Sequence, residues 1–131
     1  ARQHAYTQGM ERDDAYELFQ AGSRLLADGD FHAATVPLAR ARDLEPDKDS
    51  IREALGRAYF QSQRYEAAAA EFEAIVEHRP TDDFALFCLG RSLQQLGRHQ
   101  EARHPLALAC QLRPDRRDYA LYRDRARRRA A

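Results

Sequence analysis

With 131 residues, 21 basic and 21 acidic side chains and no formal net charge, the chain is sized for one domain and offers no global attraction to a polyelectrolyte. Its apolar runs are only a few residues long, far short of the ~20 that cross a bilayer, and its start lacks an apolar signal segment. Two cysteines, Cys88 and Cys110, at unlike positions of helical segments argue against a disulfide framework and fit a reducing compartment, with the cytoplasm the expected location.

Residues 1–14 carry no pattern matching the rest and are expected to be an N-terminal extension, either a continuation of the first helix or a disordered lead. Over 14–28, Leu18, Ala21, Gly22, Leu25 and Leu26 recur at the helical period and predict an amphipathic helix that Gly29-Asp30 ends. Phe31, Ala34, Leu38, Ala41 and Leu44 predict a second helix, stopped by Pro46, so the pair forms one helical hairpin. A second hairpin is expected over 50–80, with Leu55, Gly56, Tyr59, Tyr65, Ala68, Phe72 and Ile75 at corresponding points. The third, over 82–114, carries Leu86, Leu89, Gly90, Leu93, His99, Ala102, Leu106 and Ala109.

The three hairpins share one register. Gly22, Gly56 and Gly90 lie 34 residues apart, as do Ala34, Ala68 and Ala102, and Pro46, Pro80 and Pro114. A fixed period of this length points to stacked hairpins that share a continuous core, an architecture that presents binding surfaces more often than active sites. The glycines on first helices, facing the alanines on second helices, are expected to let the two helices approach closely, with Leu38, Phe72 and Leu106 filling the space between them. Pro37 and Pro105 fall inside second helices at one repeat position and are read as early-turn prolines that cause a mild bend.

Leu18-x2-Ala21-Gly22-x2-Leu25, followed by Gly29-x-Phe31-x2-Ala34-x3-Leu38-x2-Ala41-x4-Pro46, resembles the tetratricopeptide repeat. Residues 49–82 and 83–116 repeat the pattern of 15–48, with Arg52 for Leu18, Gln63 for the turn glycine, Ile75 for Ala41 and His99 for the aromatic. The resemblance implies an all-α, right-handed superhelical solenoid of three hairpins. Residues 117–131 do not suit a fourth repeat, since Arg123-Asp124 would stand where Leu89-Gly90 stand; they are expected to form an Arg-rich capping helix, with Tyr119, Tyr122 and Ala126 covering the third hairpin and the arginines facing water.

In the family that the chain resembles, first helices line a concave groove. Carried over, the groove would present Tyr16, Phe19, Gln20, Ser23, Glu53, Arg57, Phe60, Phe84, Phe87, Cys88, Arg91, Gln94 and Gln95. Aromatic rings and arginines are frequent interface anchors, and this set suits an extended peptide or a helix; the alternative is that the rings pack between repeats as core. Members that grip the C-terminal carboxylate of heat-shock chaperones use basic residues and asparagines at positions held here by Phe19, Ser23, Ala54, Phe84 and Cys88, which excludes that clamp. Arg57 and Arg91, one repeat apart, could still take a carboxylate, or pair with Glu53 and other nearby acids.

Residues 113–129 hold eight arginines against three aspartates. They read as a solvated cap in preference to a nucleic-acid surface, because stacking aromatics other than Tyr119 and Tyr122 are missing from the segment. No metalloprotease, nucleophile-elbow, phosphate-loop or paired-cysteine signature is present, and the five histidines are scattered. The expectation is a protein-binding adaptor or scaffold, not an enzyme, with no cofactor, no metal and no membrane partner. Two alternatives are a scaffold that forms homo-oligomers through its ends, around Tyr6, Met10 and the first helix, and a nucleic-acid accessory domain that uses the Arg-rich helix.

Overall fold

The computed structural model describes residues 14–131 in full and, of residues 2–13, only their place in the first helix. Tyr6 and Met10, the side chains invoked for self-assembly, lie outside the described residues. Among the described residues every regular element is a helix: α1 (Arg2–Ala27), α2 (Phe31–Leu44), α3 (Asp49–Gln61), α4 (Tyr65–His78), α5 (Asp83–Gln95), α6 (His99–Leu112) and α7 (Arg117–Ala130). The 34-residue step is kept by the helix starts themselves, at 31, 65 and 99 and again at 49, 83 and 117. This is the all-α helical repeat fold that the register implies. The chain divides into two compact units, Ala1–Ser62 with α1 to α3 and Gln63–Ala131 with α4 to α7.

In the first unit α2 packs against both α1 and α3. The close approach of α1 and α2 depends on Gly22, where an added Cβ would stand 2.4 Å from Leu38 Cγ, well inside any real contact distance. The glycine thus makes room for Leu38, one turn beyond the alanine that the sequence pattern suggested as its neighbour. Leu38, Ala34 and Ala41 are fully buried, so Leu38 cannot swing out to relieve a larger residue at 22.

Gly29, at φ +82°, turns the chain in the left-handed region that β-carbons disfavour. It allows a paired C-terminal cap in which Gly29 N–H donates to Leu26 C=O at 3.1 Å and Asp30 N–H donates to Leu25 C=O at 2.9 Å.

The second unit repeats these devices. An added Cβ on Gly90 would meet Leu106 Cγ at 2.4 Å, and Gly97, at φ +76°, closes the α5–α6 turn with Gly97 N–H to Gln94 C=O at 3.0 Å and Arg98 N–H to Leu93 C=O at 2.9 Å. The turn before α4 uses Gln63 at φ +66° in the glycine's place. Pro46, Pro80 and Pro114 follow the first residue of a four-residue turn, closed by Lys48 N–H to Glu45 C=O (3.2 Å), Asp82 N–H to Arg79 C=O (3.1 Å) and Arg116 N–H to Arg113 C=O (3.1 Å). Pro37 and Pro105 sit in the second turn of α2 and α6, beyond the early turn expected of them, and both helices continue through them.

The 117–131 segment shows why register and packing must be read together. α7 starts where a first helix would start and lies against α6 and α5. Asp124 occupies the position of Gly22 and Gly90, so this helix could not accept a leucine at the approach distance seen in those hairpins. Its contact with the third hairpin rests on Tyr119 and Ala126, both fully buried. Tyr119 joins Leu86, Ala109 and Cys110, and Ala126 joins Leu93, Ala102 and Leu106.

Candidate binding surface

The expected groove residues fall on α1 and α3 in the first unit and on α5 in the second. In the first unit, Phe19, Ser23 and Leu26 from α1 meet Glu53, Ala54 and Arg57 from α3 around a cavity of about 360 Å³. Phe19, Ser23 and Glu53 are half-buried and Arg57 is exposed, so an apolar wall carries a charged rim. Tyr16 stands 61% exposed, and its hydroxyl accepts a hydrogen bond from Gln20 Nε2 at 2.8 Å, one helical turn away. Phe60 is half-buried.

In the second unit Phe84 is half-buried and Phe87 is engaged inside the fold. The Phe87 ring stacks on Tyr119 with centroids 4.5 Å apart and tilts against Tyr122 at 5.7 Å. Offset aromatic pairs of this kind contribute about 0.5–1.5 kcal/mol beyond their buried area. Phe87 is half-buried, and its ring docks α7. Tyr119 adds a hydrogen bond from its hydroxyl to Asp83 Oδ2 at 2.8 Å, and burial together with that acceptor pushes the phenol above its usual range. Cys88 is half-buried, with its carbonyl accepting from Ser92 Oγ at 2.8 Å, and neither Cys88 nor Cys110 is in a disulfide.

Arg91 lies over the Tyr122 ring at 3.8 Å and its Nη1 donates to Gln94 Oε1 at 3.2 Å, while Gln94 Nε2 donates to the Tyr122 carbonyl at 2.9 Å. Burial lowers the Arg91 pKa below the usual guanidinium value. Arg125 also lies over Tyr122, at 4.9 Å. Together Arg91, Gln94, Gln95, His99, Arg125 and Arg129 line a cavity of about 250 Å³.

The arginines of the tail therefore do not all face water. Arg123 is half-buried and reaches Cys110 Sγ at 3.1 Å, while Arg125 and Arg129, exposed, line the rim of that cavity. Four of the eight are tied to neighbouring aspartates: Arg113 to Asp115 (2.9 Å), Arg116 to Asp118 (2.7 Å), Arg123 to Asp124 (3.0 Å) and Arg127 to Asp124 (3.8 Å). The bidentate partners hold the Asp115 and Asp118 carboxyls below the usual carboxylate range, although pairs this exposed add little to stability.

The roles of Arg125 and Arg129 were missed by reading the tail as a charge run. The available signal was the register: Arg57, Arg91 and Arg125 stand 34 residues apart. Among the described residues no group of His, Cys, Asp and Glu side chains is placed to hold a metal ion, and no helix is long and apolar enough to cross a membrane.

A family model for the tetratricopeptide repeat matches residues 25–87. No curated protein matches the chain in sequence. Several solved structures share the fold. The C-terminal tetratricopeptide domain of a Plasmodium falciparum putative FK506-binding protein is 17% identical with a TM-score of 0.87, over 97% of this chain and 95% of that one. The first tetratricopeptide domain of Spaghetti (RPAP3), solved with an HSP90 peptide, is 16% identical with a TM-score of 0.81, over 89% of this chain and 93% of that one. MamA AMB-1 is 27% identical with a TM-score of 0.75, and the match covers 83% of this chain and 64% of MamA's. With the register, the glycine–leucine approach and the left-handed turns on one pattern, residues 25–87 match the tetratricopeptide repeat and the chain has the helical-repeat fold of tetratricopeptide proteins.

Proposed function

We propose that the chain is an adaptor or scaffold module, without catalytic activity of its own, that takes a peptide or protein segment on the groove formed by its first helices. The observation that carries this reading is the cavity between α1 and α3, where Phe19 supplies an apolar wall and Glu53 and Arg57 supply charge of both signs. An aromatic contact flanked by an arginine is the composition of an interface anchor. The heat-shock peptide seen on the Spaghetti domain is not the proposed ligand, because Phe19, Ser23, Ala54, Phe84 and Cys88 provide neither basic side chains nor asparagines at the clamp positions.

Capture from the native lysate tests the reading. Wild-type protein retains a partner that the Phe19→Ala/Arg57→Ala variant loses, while far-UV helicity is unchanged. Both side chains reach the surface, so their truncation leaves the core intact. Equal capture by the double variant would overturn the assignment.

A further inference from the structure

The second cavity carries a more definite chemistry. Three guanidinium groups line one polar recess of about 250 Å³, with the amides of Gln94 and Gln95 and the imidazole of His99. α5 contributes Arg91 and both glutamines, α6 begins with His99, and α7 contributes Arg125 and Arg129 from successive turns of one face. The ion pairs of the tail use Arg113, Arg116, Arg123 and Arg127, leaving Arg125 and Arg129 without a carboxylate among the described residues. His99 lines the recess as a residue, and its Nδ1 is buried without a hydrogen-bond partner among the described residues.

We propose that the recess between α5, the start of α6 and α7 is a carboxylate site, which receives an aspartate or glutamate side chain, or a chain-terminal carboxylate, from an acidic segment of a protein partner. The site rests on the reading of first helices as the binding surface and names the chemistry of what binds there. Guanidinium groups match a carboxylate through paired N–H donors, and beside the half-buried Arg91 such bonds are stronger than in water. Burial already weighs against the charge on Arg91, and the positive charge of Arg125 adds to that, so an incoming anion relieves a standing electrostatic cost. A nucleic acid is disfavoured by the same geometry. Tyr122 already carries Arg91 and Arg125, and Phe87 is stacked on Tyr119, so these two rings beside the recess are engaged within the fold and not held open for a base.

The test uses the whole chain, a fluorescein-labelled hexaglutamate peptide, a hexaglutamine control and a single-stranded DNA oligonucleotide, read by anisotropy and by the His99 ring signals in NMR. Hexaglutamate binds and moves the His99 signals, and hexaglutamine does neither. Arg125→Gln/Arg129→Gln weakens the hexaglutamate complex at least about tenfold, since two charge-assisted contacts are lost. Arg117→Gln/Arg128→Gln removes the same charge from α7 outside the recess and changes affinity within about twofold. Equal losses in the two variants would reduce the site to diffuse attraction and overturn it, as would the absence of wild-type binding. Oligonucleotide binding as tight as the peptide's and dependent on Arg125 and Arg129 would make it a phosphate site and overturn the carboxylate assignment. The two readings fail separately. Lysate capture that depends on Phe19 and Arg57 while hexaglutamate does not bind removes only the carboxylate site, and hexaglutamate binding with capture unaffected by Phe19→Ala/Arg57→Ala removes only the groove.

Discussion

The first and third hairpins are internally almost the same object, set in different surroundings. In each, a Cβ added to the glycine would stand 2.4 Å from a leucine Cγ, and each turns through a glycine near φ +80° with the same pair of cap hydrogen bonds. Beside the third hairpin stands α7, with Tyr119 and Ala126 fully buried. The first hairpin has α3 in the same place, with smaller side chains at its contact, and its α1 and α2 also line a cavity of about 760 Å³ with Asp14, Glu17, Leu18, Ala21, Arg40, Asp43 and Leu44. A few short-range steric rules thus fix hairpin geometry, and the neighbouring element decides what the outer face does. The same helix face that presents Phe19 to a cavity in one unit sets Phe87 against Tyr119 and Tyr122 in the other.

The comparison breaks most severely at Tyr119. Truncating a buried aromatic costs about 3–5 kcal/mol, which here means loss of α7 docking, so Tyr119→Ala should expose the α7 amides to hydrogen exchange while those of α4 and α5 stay protected. The same residue gives the wild type an alkaline limit. Because the folded phenol titrates above its ordinary value of 10.0, its contribution is whole below that pH and fades as the pH rises further, and the alanine variant lacks this fade. A chemical-denaturation series at increasing pH reads both effects. Retention of full α7 protection in Tyr119→Ala would show that the stack is not what holds the helix.

The likeness of the two hairpins is tested by Gly22→Ala and Gly90→Ala. Each new methyl overlaps a fully buried leucine, so overpacking of about 1–3 kcal/mol should outweigh the helical gain of roughly 0.5–1 kcal/mol over glycine, and the two variants should lose similar stability in thermal melts. A clear inequality would mean that the outer element stiffens the approach of the inner helices. The smallest effect is expected at the odd turn. Gln63 holds a positive φ where Gly29 and Gly97 stand in the other hairpins, so Gln63→Gly should stabilise by about 1 kcal/mol, seen as a raised denaturation midpoint.

The fold was legible because its determinants are periodic and local. Glycines, alanines and prolines at a 34-residue step place the starts of α2 to α7, although Arg123-Asp124 obscured the last. The partner of each glycine was less legible. Gly22 and Ala34 look opposed on a helical projection, but the close contact is with Leu38, because a leucine side chain reaches further than an alanine. The candidate site was legible only in part. Helical period puts Phe19, Phe84 and Phe87 on one kind of face and cannot tell which has a neighbour above it. Long arginine side chains add a further ambiguity, since a residue such as Arg125 can lie along an aromatic ring and into a recess from a position that counts as solvent-facing.

Within each unit the helices pack chiefly on their neighbours in the chain, α1 on α2 on α3, and α4 on α5 on α6 on α7. Contacts of such short sequence separation close small loops, so they form in microseconds to milliseconds and release from the ends inward. Two of the three guanidiniums of the recess stand on α7, so an opening of that helix removes them together, as one catch.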